Sequence, residues 1–405
     1  MSRLLRSVAG LLAGCWLALA LVPADAAQTM RERTYKRLTK IHEQMGEGQY
    51  ARALRGLDAL MPSVRKIPYE LAVVEQTYGY VYAAQEKYPQ AIEHFERALE
   101  TDALPEEATK SMLYNLAQLY MAVERWDDAV RTFERWLRLE PEPSPDAHAM
   151  VGTAYAQLKR YDPAIDHLRR AIAAADKPQE TWYQILLAIY YERKQYPQAA
   201  ATLEDMIRLF PRQKDYWVQL SGVYFQMKKD QRSLAVLELA RKWGVLTRES
   251  ERVNLASLYL LMDIPYKAAK ILAAAMDEGI VRPNLKHWQL LSDAWLRARE
   301  LDRALVALRR AAALADSGEL YLRCAQISAE RENWEEVRKD LDRALEKGGM
   351  KHPGNAWLLL ANAYYELDRF DDAMQALKRA ERFDDTAKQA RQWMNFIESE
   401  RALRS

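Results

Sequence analysis

Residues 78–98 read YGYVYAAQEKYPQAIEHFERA, and this stretch decides the fold. It opens with a large apolar residue, a small one beside it and an aromatic three further on: Tyr78, Gly79 and Tyr82. A second segment follows with a ring, two variable residues and an alanine, Tyr88 to Ala91, and then Phe95 and Ala98. The spacing predicts two helices joined by a turn. Small residues let the helices approach, and large ones fill the space between them.

The same pattern recurs outward in both directions. Aligned on the small residue after the ring, units fall at Ala53, Ala91, Ala129, Ala164, Ala199, Ser233, Ala268, Ala304, Val337 and Ala373, spaced 33 to 38 residues apart. Leu116-Ala117…Tyr120, Val151-Gly152…Tyr155, Leu220-Ser221…Tyr224 and Leu360-Ala361…Tyr364 repeat the first-helix signature. A period close to 34 resembles the tetratricopeptide repeat, not HEAT or WD40 arrays. The resemblance implies an all-α, right-handed superhelical solenoid of about ten helix-turn-helix units, because one helix pair cannot bury its apolar face alone. The solenoid is expected over residues 63–385. Residues 27–62 read as a degenerate first repeat or N-terminal cap, since Ile41 and Gln44 replace the small and aromatic residues. The ninth unit also departs, with Cys324, Ser328 and Val337 at signature places. Residues 386–405 read as a C-terminal capping helix, with Ala387, Ala390, Met394, Ile397 and Ala402 loosely on one side.

Residues 1–26 read as a signal peptide. Arg3 and Arg6 precede an apolar stretch from Val8 to Val22, Pro23 breaks it, and Ala24-Asp25-Ala26 offers small residues before a cut after Ala26. The apolar stretch is short for a membrane span. Leu12-Ala13-Gly14-Cys15 resembles a lipobox, so lipidation at Cys15 and an uncleaved leader stand as alternatives. The expected location is the periplasm, with membrane association only through partners or through an uncleaved or lipidated leader.

Composition narrows the function. Charged residues make up 29% and the formal net charge is +2, falling to about +1 without Arg3, Arg6 and Asp25. No long run of one sign occurs, so no nucleic-acid surface is indicated. The six histidines include no pair at the helical i, i+4 metal spacing, and the two cysteines, Cys15 and Cys324, form no zinc pair. No phosphate-cradling glycine motif and no GxSxG occurs. Asp127-Asp128 and Asp371-Asp372 sit where a helix N-terminus favours acids. Cys324 takes an apolar repeat position and reads as a core thiol. No catalytic residue, metal or cofactor is expected, and the chain reads as a non-enzyme.

In tetratricopeptide proteins, first-helix residues off the packing stripe line the concave surface. The repeat register carries that role here to Gln76, Tyr80, Tyr114, Gln118, Gln184, Tyr191, Phe225, Gln289, Asn362 and Tyr365. This is an aromatic and amide surface, suited to protein or peptide segments. The Lys and Asn pattern of the chaperone carboxylate clamp is absent, which points to a partner without a strong charge demand.

Five stretches carry a closer resemblance: residues 35–54 (YKRLTKIHEQMGEGQYARAL), 78–99, 216–227 (YWVQLSGVYFQM), 263–272 (DIPYKAAKIL) and 348–367 (GGMKHPGNAWLLLANAYYEL). They resemble periplasmic tetratricopeptide proteins described as components of TonB energy-transduction systems in Gram-negative bacteria. The likeness implies a non-catalytic scaffold working beside TonB, ExbB and ExbD in outer-membrane uptake. Two alternatives remain open at this level: a periplasmic chaperone or assembly factor for envelope proteins, and a regulatory subunit of a cell-wall enzyme.

Overall fold

The computed structural model describes residues 30–404. The leader over residues 1–26 and its cut after Ala26 lie outside the described residues. Those described form 21 helices and the turns between them, with no strand among them. The chain is all-α.

Twenty helices run as ten consecutive pairs. The first five are α1 (Glu32–Gly46) and α2 (Tyr50–Val64), α3 (Pro68–Ala84) and α4 (Tyr88–Glu100), α5 (Glu106–Ala122) and α6 (Trp126–Leu137), α7 (Pro145–Gln157) and α8 (Tyr161–Ala174), and α9 (Glu180–Glu192) and α10 (Tyr196–Leu209). The next are α11 (Lys214–Gln226) and α12 (Asp230–Lys242), α13 (Glu249–Leu261) and α14 (Pro265–Asp277), and α15 (Leu285–Arg297) and α16 (Leu301–Leu314). Then come α17 (Glu319–Ala329) and α18 (Trp334–Lys347), α19 (Pro353–Glu366) and α20 (Phe370–Ala380), and the terminal α21 (Ala387–Arg404).

One turn design closes every first helix. The residue five before each aligned small residue is left-handed: Gly48 at φ 72°, and nine non-glycine residues, Glu86, Glu124, Lys159, Lys194, Lys228, Asp263, Arg299, Glu332 and Asp368, at φ 54° to 59°. An L-residue there costs about 1 to 2 kcal/mol. Two reverse hydrogen bonds offset that cost. Glu86 N–H donates to the Ala83 carbonyl at 2.9 Å and Lys87 N–H to the Tyr82 carbonyl at 3.0 Å, which is the Schellman closure of a helix end. Arg125 N–H to Tyr120 and Ile264 N–H to Tyr259 repeat it at 2.8 Å. Proline opens α3, α7, α14 and α19 at the position where its missing N–H is harmless.

The described chain divides into two compact units, one ending at Thr202 and the other starting at Leu203, so the division falls inside α10. In the first unit, Leu57, Phe95, Phe133 and Leu168 of the second helices are fully buried. The small residues facing them set the spacing. A Cβ on Gly79 would lie 2.4 Å from the Phe95 ring. The degenerate first unit departs from this fit, with Ile41 and Leu57 both large and buried. Ile41 stands where the other units are small, and opposite it Gly56 has room for no Cβ, which would meet Ile41 at 2.9 Å.

Two polar devices tie neighbouring pairs together. First-helix tyrosines donate to a carboxylate on the preceding second helix: Tyr78 to Asp58 at 2.6 Å, Tyr155 to Glu134 at 2.8 Å, and Tyr120 to Glu96. Burial and the Glu134 carboxylate push the Tyr155 phenol up to about 12, so it remains a donor at any physiological pH. At the start of the described chain, the buried Glu70 carboxylate of α3 accepts from Arg31 N–H at 2.8 Å, from the Arg31 guanidinium at 2.6 and 3.0 Å, and from Thr34 Oγ1 at 2.8 Å. Burial alone would raise this carboxyl, but these bonds outweigh it and hold it below the usual carboxylate range.

The second unit uses the same devices. Tyr224 donates to Glu204 and Tyr259 to Glu238. Its cores run from Trp217 to Ala307 and from Leu322 to Ile397, with Leu305, Leu308, Cys324 and Ile327 forming a cluster of their own. Cys324 is fully buried, and burial pushes its thiol up to about 12, as befits a core residue. Ser328 and Val337, the ninth unit's other departures, are buried as well. No helix of the described residues is long and apolar enough to cross a membrane.

Candidate partner-binding groove

The second unit carries an open groove of about 700 Å³ between α17, α19 and α21. Its apolar walls are Leu322, Leu358, Leu359, Trp393 and Phe396. Its polar lining is entirely carboxamide: Gln326, Asn355, Asn362, Gln389 and Gln392. None of these five side chains hydrogen-bonds another group among the described residues, and no charged side chain lines the groove. Each carboxamide offers both donors and an acceptor. Phe396 is 50% exposed, a large apolar surface left to solvent beside them.

The helices position these groups by register. Gln326 lies one turn beyond Leu322 on α17, and Asn355, Leu358, Leu359 and Asn362 fall on one face of α19 at i, i+3, i+4 and i+7. The terminal helix supplies Gln389, Gln392, Trp393 and Phe396 with the same spacing. Its other face, through Ala390 and Ile397, is buried in the core shared with α19 and α20.

The ten residues assigned from the repeat register have different fates. Asn362 lines the groove. Phe225 is 45% exposed on α11, and Gln289 is half-buried on α15. Tyr80 and Gln118 are each only 8% exposed, which corrects their assignment to an open surface. The Tyr80 ring stands edge-on to Phe95 at 5.1 Å, and its hydroxyl accepts from Gln76 at 3.5 Å and from Asn115 of α5 at 3.4 Å. The next first helix therefore covers it. Tyr114 is half-buried against Trp136 at 4.9 Å and donates to Met150 Sδ at 3.6 Å. Gln184 donates to Glu180 at 3.2 Å, and half-buried Tyr191 has its phenol raised by burial. Tyr365 donates to Glu400 of α21 at 2.7 Å and lies 6.2 Å from Phe396, so it braces the terminal helix beside the groove.

A second cluster joins two histidines that no short-range spacing links. His148 of α7 and His167 of α8 meet with their Nδ1 atoms 3.0 Å apart. They lie nineteen residues apart in sequence and come together only across the helix pair. Burial, then the neighbouring His148, pushes the His167 imidazole down to about 4, and burial lowers His148 too. Among the described residues no group of three or more His, Cys, Asp or Glu could hold a metal. The first-turn acid Asp128 accepts from Arg125 at 2.7 Å, and Asp372 from Arg369 at 2.7 Å.

Family models of the tetratricopeptide repeat match residues 69–142, 114–178 and 325–388. Residues 69–178 and 325–388 are thus tetratricopeptide repeats. No protein of curated function matches it. Among solved structures, a tetratricopeptide repeat protein from Parabacteroides merdae is 17% identical over 74% of this chain and 100% of its own, with a TM-score of 0.38. A chain of the Naa15/Naa10 complex bound to HypK-THB is 15% identical over 91% of this chain and 61% of its own, with a TM-score of 0.48. YrrB, described as a tetratricopeptide repeat protein with an unusual peptide-binding site, is 17% identical over 45% of this chain and 90% of its own, with a TM-score of 0.36. Tetratricopeptide arrays are scaffolds for protein–protein interaction, and at that level the role of the chain is to bind proteins or peptides.

Proposed function

We propose that the chain is a non-catalytic scaffold of the Gram-negative periplasm that holds envelope proteins, as a component of a TonB–ExbB–ExbD uptake system. The observation that carries the binding role is the groove of the second unit, where five carboxamides with no hydrogen-bond partner among the described residues stand beside an exposed phenyl ring. Folded chains keep such groups satisfied or hydrated, and recognition surfaces bring them together with rings. The periplasmic part of the reading is supported by the basic start, apolar stretch and Ala24-Asp25-Ala26 of the leader. The TonB part is supported by the resemblance of the five stretches quoted from residues 35 to 367.

Formaldehyde cross-linking in intact cells, followed by purification and mass spectrometry, tests this reading. It expects envelope proteins in the cross-linked pool, with TonB, ExbB or ExbD among them, and a mature chain beginning at Ala27. Recovery of barrel-assembly proteins or cell-wall synthases would replace the TonB assignment. Recovery of cytoplasmic proteins alone would contradict both location and role.

A further inference from the structure

We propose that the outward ridge of α12 is a membrane-contact surface, which rests on the headgroup layer of a bilayer containing anionic phospholipid. The ridge lies outside the groove, and the inference does not depend on the scaffold reading.

The ridge is a departure from the repeat. Counted from the aligned small residue of a second helix, the second, sixth and tenth residues form one face. In the other nine units at least one of the three is charged, and the central one is arginine in six, as at Arg97, Arg135 and Arg310. That is the polar face a surface helix presents to water. On α12 and the residue just past it the three are Ala235, Leu239 and Trp243, without a charge. Leu239 is 46% and Trp243 58% exposed, while Ser233, Leu237 and Ala240 on the other side are buried. One exposed leucine needs no explanation. A leucine and a tryptophan one turn apart, both left to solvent, form a patch of the kind that marks an interaction surface. Helix α10 ends similarly, on Leu209 at 46% exposure.

Cations frame the patch. Lys214 donates to Thr247 Oγ1 at 3.4 Å and Arg248 pairs with Asp215 at 3.3 Å, which ties the turn after α10 to the turn after α12. Arg212 stands in the first of these turns, and Lys242 precedes Trp243. Both are exposed, and neither has an acidic partner among the described residues. The acids close by in sequence are already engaged, Asp205 by Arg208 and Glu238 by Arg241. Residues 203–248 hold nine Lys and Arg against five Asp and Glu, a balance of +4 in a chain whose total is +2. The near-neutral total therefore conceals one cationic stretch, and it coincides with the apolar ridge.

This combination fits a lipid headgroup layer. A tryptophan ring settles at that level with its body among apolar chains and its N–H toward water. Lys and Arg lay their stems along the apolar surface and carry their charges to the phosphates. A folded partner would have to offer a surface shaped to the ridge, whereas a lipid layer yields to it.

Co-sedimentation with phospholipid vesicles tests the proposal, using the protein in the form in which cells accumulate it. It expects binding to vesicles of equal parts phosphatidylglycerol and phosphatidylcholine, weak binding to phosphatidylcholine alone, and loss of binding as salt rises. L239S/W243S and R212E/K242E should each lower the partition coefficient about tenfold or more. Melting curves should not change, because all four side chains are exposed. V306S, at an exposed position of α16, should bind as the parent does. No binding to the mixed vesicles, equal binding to both kinds, or indifference to either double variant would each overturn the proposal. Loss of an envelope protein from the cross-linked pool of L239S/W243S, with vesicle binding intact, would assign the ridge to a protein partner instead. Failure in any of these ways leaves the groove reading standing, because that reading answers to cross-linked partners and not to lipid.

Discussion

Single residues carry the fit between helices, and they do so in opposite senses at two glycines. Gly79 faces Phe95 with no room for a Cβ, whereas a Cβ on Gly222 of α11 would meet nothing within 4 Å. G79A is expected to destabilise by about 2 kcal/mol through overpacking. G222A should stabilise by about 0.5 to 1 kcal/mol, since alanine loses less chain entropy in a helix. Chemical denaturation of the two variants side by side checks both signs. The left-handed turn residues give a third case. Lys159 sits at φ 58°, and K159G should raise stability by about 1 kcal/mol by relieving the Cβ. A loss on this substitution would show that the Lys159 side chain contributes more than its backbone costs.

At the scale of elements, the helix pair α7–α8 is sensitive to acid through its histidines. The bond between the two Nδ1 atoms requires that at least one be unprotonated, and two imidazolium rings at 3.0 Å would repel. Both folded pKa values lie below the ordinary imidazole value, His167 at about 4. A depressed histidine contributes stability that is complete above about pH 6.5 and lost as the pH falls through about 4. The neighbouring pair α5–α6 has Leu113 and Thr132 at the equivalent places. Copying them as H148L/H167T should remove roughly 2 kcal/mol of the acid-induced loss between about pH 6.5 and 4. Melting temperatures of both proteins across that range check it, and parallel curves would contradict it. The pair also shows what the residue pattern conveys and what it withholds. The period, the helix pairs and the core positions are legible because they repeat. Contacts that depend on which first helix covers its neighbour are not, so Tyr80 and Gln118 look like surface in the register and are buried. The turn residues escape notice because Lys, Glu, Asp and Arg occupy a conformation usually signalled by glycine. Asn362 could be placed from its register, but Gln389, Gln392 and Phe396 could not, because α21 lies outside the repeat.

Contacts join elements one or two apart in the chain, so perturbation should remain local. L168A removes a fully buried side chain from α8 and should cost about 2 to 4 kcal/mol. Hydrogen exchange should then quicken in α5 to α9 and stay unchanged in α17 to α20. Global loss of protection would mean cooperative unfolding instead. The central claim is that this repeat array works by holding a protein segment in the groove closed by α21. The most direct test places a photo-cross-linking amino acid at Gln392 in living cells, with Val306 of α16, 61% exposed and outside the groove, as the control. The account predicts adducts with an envelope protein from position 392 and none from position 306. Adducts from 306 without any from 392 would contradict it.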